Sequence, residues 1–188
     1  MKTMILAAAL AAVAFPALAE KPGTPARARE GKPLPDAGWG EAYALDGDTV
    51  AVIGLKPHIR IWGVQAAELR NKPAIGATGI ETVDGMRGRA DLEDMLTRAN
   101  RKIYYEPTKW DRYCRIVARV TAMAPKIGGE EIDVARALLE HGMAYGFWLD
   151  DAIAGKPELS KAYADAEAKA RQERVGLWPR WLGERKPD

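Results

Sequence analysis

The chain has 188 residues with 28 basic and 26 acidic side chains, enough length for one domain with a real core. The net charge of +2 is too small to mark a nucleic-acid partner by composition alone, so any such partner has to be argued from where the charges sit. A single cysteine, Cys114, excludes an internal disulfide and reads as a small buried side chain.

Lys2, the apolar run Met4 to Phe15, Pro16 and Ala17-Leu18-Ala19 have the charged start, short apolar centre and small-x-small exit of a secretory signal peptide. Cleavage is expected after Ala19, and with no cysteine at the cut no lipid anchor is expected. No later segment is apolar for 18 residues, so the product is expected to be a soluble, monomeric, secreted or periplasmic protein without membrane contact. Cleavage removes one lysine and leaves 27 basic against 26 acidic groups. Residues 20–40 hold four prolines, four glycines and mixed charge, and read as a flexible leader. A single domain is expected over 41–180, followed by a short tail at 181–188.

From Glu41 three strands are predicted, 41–46, 49–55 and 58–64, joined by the Asp46-Gly47-Asp48-Thr49 turn and the Lys56-Pro57 turn. Asp46 and Asp48 offer paired hard oxygens, which suit Ca²⁺ or Mg²⁺ better than Zn²⁺. The same turn is also an ordinary hairpin signal. An EF-hand is excluded, because counting from Asp46 its glycine position holds Ala51 and its bidentate glutamate position holds Pro57. In the third strand Ile59, Ile61 and Gly63 alternate with His58, Arg60 and Trp62, which places Arg60 on the face away from the apolar residues, where it can fork onto a phosphate.

Residues 69–81 read as loop. Leu92, Met95, Leu96 and Ala99 recur at helical spacing and predict a helix over 84–99. Strands at 102–106 and 113–123 follow, separated by a polar turn at 107–111. In the second of them Cys114, Ile116, Ala118 and Val120 share one face while Tyr113, Arg115, Val117 and Arg119 share the other, so Arg115 also projects from the core. Asp133 can cap a helix to His141, and a last helix over 158–175 stops at Gly176. His58 and His141 lack metal-ligand spacing, and Trp62, Trp110 and Trp178 read as packing residues. The element order is that of an α+β chain dominated by β: a five-stranded OB-fold Greek-key barrel with three helices.

Three motifs resemble the staphylococcal nuclease (thermonuclease) family: Asp46-Gly47-Asp48-Thr49, the strand motif Arg60-Ile61-Trp62-Gly63-Val64-Gln65-Ala66-Ala67-Glu68, and Tyr113-Cys114-Arg115. The stretches Leu139 to Ala144, Ala166 to Arg171 and Gly176-Leu177-Trp178 resemble the family's closing helices. The resemblance runs from about Glu41 to Trp178 and implies Ca²⁺-assisted hydrolysis of DNA and RNA phosphodiesters, with Mg²⁺ or Mn²⁺ as alternatives. It assigns Arg60, Glu68 and Arg115 to catalysis. Asp48 becomes the direct metal ligand, with Asp46 behind it, Gln65 beside it and the Ala66 carbonyl as a backbone ligand. Tyr113, Arg112 and Trp148 are assigned to the substrate.

This chain departs from the family pattern at Gln65, where the family has a second metal-binding aspartate, at Ala67, where it has proline, and at Cys114, where it usually has glycine. Gln65 lowers the charge available to a cation, and Ala67 loosens the turn that presents Glu68. Cys114 is expected to fill the core face. The resemblance therefore implies a sugar-nonspecific nuclease. Gln65 motivates the alternative of a barrel that binds single-stranded nucleic acid, or another anionic polymer, without cutting it.

Overall fold

The computed structural model describes residues 32–69, 82–124, 130–147 and 156–183. The expected signal peptide, most of the expected leader, Trp148 and residues 184–188 of the expected tail lie outside the described residues. Strands β1 (Gly38–Ala44), β2 (Thr49–Val52), β3 (Ile59–Ile61), β5 (Lys102–Trp110), β6 (Ile116–Ala124) and β7 (Glu130–Asp133) form one sheet, while β4 (Val64–Ala66) pairs with β8 (Ala144–Gly146). The large sheet runs β3-β2-β1-β5-β6-β7, and β3 also pairs with β6 in parallel. That extra pairing closes five strands into a mixed barrel and removes the edges a meander would expose. Helices α1 (Val83–Arg98), α2 (Val134–Glu140) and α3 (Glu158–Gln172) pack outside it, followed by the single turn α4 (Trp178–Trp181).

Register decides which side chains enter the barrel. Ala42 opposes Val52, Ala44 opposes Val50, Ile59 opposes both Val50 and Ile116, and Ile61 opposes Ala118. Directly opposed residues point the same way, so this set forms one interior face, and all of these residues are buried. Leu92, Met95 and Leu96 of α1 and Leu138 and Leu139 of α2 extend the core beyond the barrel wall. Trp62 joins Tyr163 of α3 at 5.4 Å between ring centroids. Gly63, at φ +85, lets that ring close over the β3–β4 turn, because a Cβ there would fall 2.7 Å from it.

The structure corrects several expected boundaries. The first strand begins at Gly38, inside the presumed leader, where Trp39 pairs with Tyr104. The second strand ends at Val52, and the third is two short strands because Gly63 turns the chain between them. The polar segment 107–111 continues β5 to Trp110, with a bulge between Pro107 and Lys109 where proline offers no ladder donor. Helix α3 ends at Gln172: Val175 N bonds Ala170 O at 2.9 Å and Arg174 takes the left-handed position (φ +57), two residues before Gly176.

Candidate functional site

The Asp46–Asp48 turn closes the β1–β2 hairpin. Leu45 N donates to Thr49 O at 2.9 Å, and Asp46 Oδ1 accepts the Asp48 amide at 3.0 Å, the local bond that makes aspartate a turn residue. The Asp48 side chain then points inward at 5% exposure. Its Oδ2 accepts the Ala66 amide at 2.7 Å and Arg60 Nη2 at 2.9 Å, and its Oδ1 accepts the Thr49 hydroxyl at 3.1 Å. Burial pushes this carboxyl above the ordinary aspartate range against the pull of the Arg60 charge, and the nearby Asp46 pushes it further.

Arg60 is on the outer face of β3, as its alternation with Ile59 and Ile61 requires, but it is not solvated. Its Cα partners are Thr49 and Val117, and the side chain is 2% exposed. Nη1 donates to the Asp48 carbonyl at 3.1 Å, and Nη2 donates to Gln65 Oε1 at 2.9 Å as well as to Asp48. Burial lowers its pKa from the usual arginine value while Asp48 raises it. A planar fork with five donors can satisfy several acceptors at once, which is why arginine tolerates such burial.

Glu68 is exposed just past β4 and lines the same cleft. Its backbone is fixed by α1: Thr82 Oγ1 donates to Glu68 O at 2.6 Å and accepts Gly85 N at 2.9 Å, so one hydroxyl caps the helix and pins the glutamate segment. Gly85 makes the approach possible, since a Cβ there would collide with Glu68 O and Leu69 Cα. Ala67 therefore lacks the stiffness of proline, but Thr82 supplies a tether that the sequence motif does not reveal. Among the described residues the Glu68 carboxylate has no ion pair.

Arg115 is not on a strand. It ends the turn 111–115 that precedes β6, with its Nε 2.6 Å from Asp111 Oδ2 and Nη1 3.4 Å from Thr49 Oγ1. Asp111 Oδ1 also accepts the amides of Tyr113 and Arg115, both at 2.8 Å. Cys114 sits in this turn at φ +60 and is half-buried, so it does not fill the core face as expected: its backbone has left the strand. Tyr113 is 55% exposed, with the guanidinium carbons of Arg112 and Arg115 5.0 and 5.3 Å from its ring centroid.

Asp46, Asp48, Arg60, Gln65, Ala66, Glu68, Arg112, Tyr113 and Arg115 all line one cleft of about 500 Å³. Trp148, assigned to the substrate by resemblance, lies outside the described residues. Sequence reasoning missed Asp111, Lys109 and Phe147 as lining residues and favoured core or lid packing for Trp110, which also lines the cleft. The Asp111-x-x-x-Arg115 spacing was the available signal, since a tight turn brings such a pair together. Trp62 and Trp178 are buried packing residues. His141 Nδ1 lies 3.0 Å from Asp91 Oδ2.

The donor set does not fit the Ca²⁺ ion that the resemblance implies. Ca²⁺ takes six to eight oxygens, and here Asp48 Oδ2 is already taken by the Ala66 amide and Arg60, which leaves one lone pair on Oδ1 beside the Thr49 hydroxyl. The Ala66 carbonyl accepts Gln65 Nε2 at 3.0 Å, so a donor nitrogen covers it. Among the described residues no group of three or more His, Cys, Asp or Glu is placed to hold a metal ion. What the arrangement offers an anion is two guanidiniums, one buried and one half-exposed, bridged through Thr49 and Asp48, with a carboxylate across the opening.

Comparison with curated proteins gives no match. A family model for staphylococcal nuclease homologues matches residues 58–180, more than half of the chain, and this span includes Arg60, Gln65, Glu68 and Arg115. With the closed five-stranded barrel and its outer helices, the match is decisive: the chain belongs to the staphylococcal nuclease homologue family.

Proposed function

We propose that the protein is a sugar-nonspecific nuclease that hydrolyses phosphodiester bonds of DNA and RNA. The observation that carries this reading is the meeting of Arg60, Arg115, Glu68 and Asp48 in one cleft from four separate segments. Attack of water on a phosphodiester builds charge on the non-bridging oxygens. Arg115 reaches that charge from the turn, and Arg60, whose Nη hydrogens go to Asp48, Ile61 and Gln65, adds its positive charge from the cleft floor. Glu68 orients the attacking water or takes its proton, and its exposure with no described ion pair leaves its lone pairs available. Tyr113 and Arg112 cover the substrate beside Arg115. Among the described residues no recognition helix or metal finger suggests base reading, and little sequence preference is expected. Residues 1–19 are proposed to export the chain as a monomer to the periplasm or beyond. N-terminal sequencing of the exported form should begin at Glu20.

A second reading is favoured by the hydrogen bonds that cover the cation ligands: a barrel that holds single-stranded nucleic acid without cutting it. Incubation of purified protein with single-stranded DNA and RNA, in EDTA or with Ca²⁺, Mg²⁺ or Mn²⁺, separates the two. Cleavage lost in Arg115→Ala supports the nuclease. Retention on a gel with no product under any condition supports the binding module.

A further inference from the structure

Gln65 holds two functional groups at once. Its Oε1 accepts Arg60 Nη2 at 2.9 Å and its Nε2 donates to Ala66 O at 3.0 Å. The amide cannot be turned over: the reverse orientation would set NH₂ against a guanidinium and a carbonyl oxygen against a carbonyl oxygen. Its strand is fixed as well, since Gln65 opposes Tyr145 across β4–β8 while its neighbours Val64 and Ala66 are buried. The Ala66 amide donates to Asp48, so Asp48, Arg60, Gln65 and Ala66 form a closed ring of hydrogen bonds.

We propose that the Gln65 amide is a built-in substitute for a divalent cation, fastening Arg60 to the Ala66 carbonyl so that the site meets an anionic substrate with protein donors alone. A cation would draw together Asp48, residue 65 and the Ala66 carbonyl through its charge. The amide joins residue 65 to Arg60 and to the Ala66 carbonyl with a donor and an acceptor, and brings no charge. Gln65 is thus a positioning residue for Arg60. The inference rests on the proposed nuclease function only in taking the anion to be a substrate; cation binding is measured without any activity.

The test is calorimetric titration of CaCl₂, and separately MgCl₂, into purified full-length wild type, Gln65→Asp, Gln65→Ala and Asp48→Asn, with thermal melts in the same salts. Wild type is expected to show no saturable one-to-one binding and no Ca²⁺-dependent rise in Tm. Gln65→Asp removes the covering NH₂ and adds a charged ligand, and is expected to bind Ca²⁺ at least about tenfold more tightly than wild type, with Tm rising by mass action. Gln65→Ala uncovers the Ala66 carbonyl and is expected to bind more tightly than wild type by a smaller factor. It carries the test if the Asp variant does not fold. The proposal is overturned if wild type binds Ca²⁺ saturably and Asp48→Asn abolishes it, or if every folded position-65 variant is as indifferent to Ca²⁺ as wild type. Absence of nuclease activity would leave these titrations intact and would count against the nuclease reading alone.

Discussion

Asp111 holds Arg115 through both of its oxygens: Oδ2 takes the guanidinium Nε at 2.6 Å, and Oδ1 takes the backbone amide of the same residue at 2.8 Å. The carboxylate therefore sets both the backbone and the side-chain direction of the half-exposed arginine.

Asp111→Ala should free Arg115 to sample its rotamers and lower kcat/KM on single-stranded DNA by about 10- to 100-fold, since small misplacements of a charge-stabilising group cost that much. Asp111→Asn, which keeps the Oδ1 acceptor, should lose less. Steady-state kinetics with near-ultraviolet circular dichroism checks this; equal rates in all three proteins would show that Arg115 needs no such support.

The two arginines should separate in stability. Arg60→Ala strands the buried Asp48 carboxylate and should cost about 3–5 kcal/mol, whereas Arg115→Ala removes a guanidinium that is itself 27% exposed, lets water reach Asp111, and should cost less. Urea unfolding measures both, and equal losses would contradict the burial difference.

Much of the barrel was legible in the chain. The Leu92, Met95, Leu96 spacing lies in a 16-residue helix, long enough for periodicity to speak, and the Asp46–Thr49 turn carries its own residue signal. Strands β7 and β8 were not foreseen because four and three residues give no period of their own, whereas the equally short β2 and β3 lie inside longer runs read as strands over 49–55 and 58–64. The burial of Arg60 was hidden for another reason. Alternation correctly set it opposite Ile59 and Ile61, but the parallel pairing with β6 and the Gln65 side chain that cover it come from distant or nonperiodic residues. Cys114 was misread because its neighbours alternate like a strand, while its positive φ belongs to the turn that Asp111 organises.

That positive φ predicts a stabilising substitution. Cys114→Gly should relieve left-handed strain of about 1–2 kcal/mol and return part of it as unfolded-state entropy, for a net gain of about 0.5–1 kcal/mol. Denaturant melts check it; a loss would mean that the thiol packs more usefully than its backbone suffers.

His141 predicts a pH dependence. The hydrogen bond and charge of Asp91 raise its pKa above the ordinary histidine value, with partial burial opposing. The protonated form is the one favoured in the fold, so its contribution is complete below about pH 6.5 and fades as pH rises through the raised folded value. The stability difference between wild type and His141→Gln should therefore be larger at pH 5.5 than at pH 8.5 in urea melts. Since the pair is partly solvated, a small difference is expected.

The most direct measurement of the central reading is the single-turnover rate of cleavage of single-stranded DNA by wild type, Glu68→Gln and Arg115→Ala in EDTA, with melting temperatures recorded beside it. The predicted result is cleavage by wild type and a fall of about 100-fold or more in each variant at nearly unchanged Tm. Rates undiminished in both variants, or no cleavage by wild type in EDTA, would contradict it.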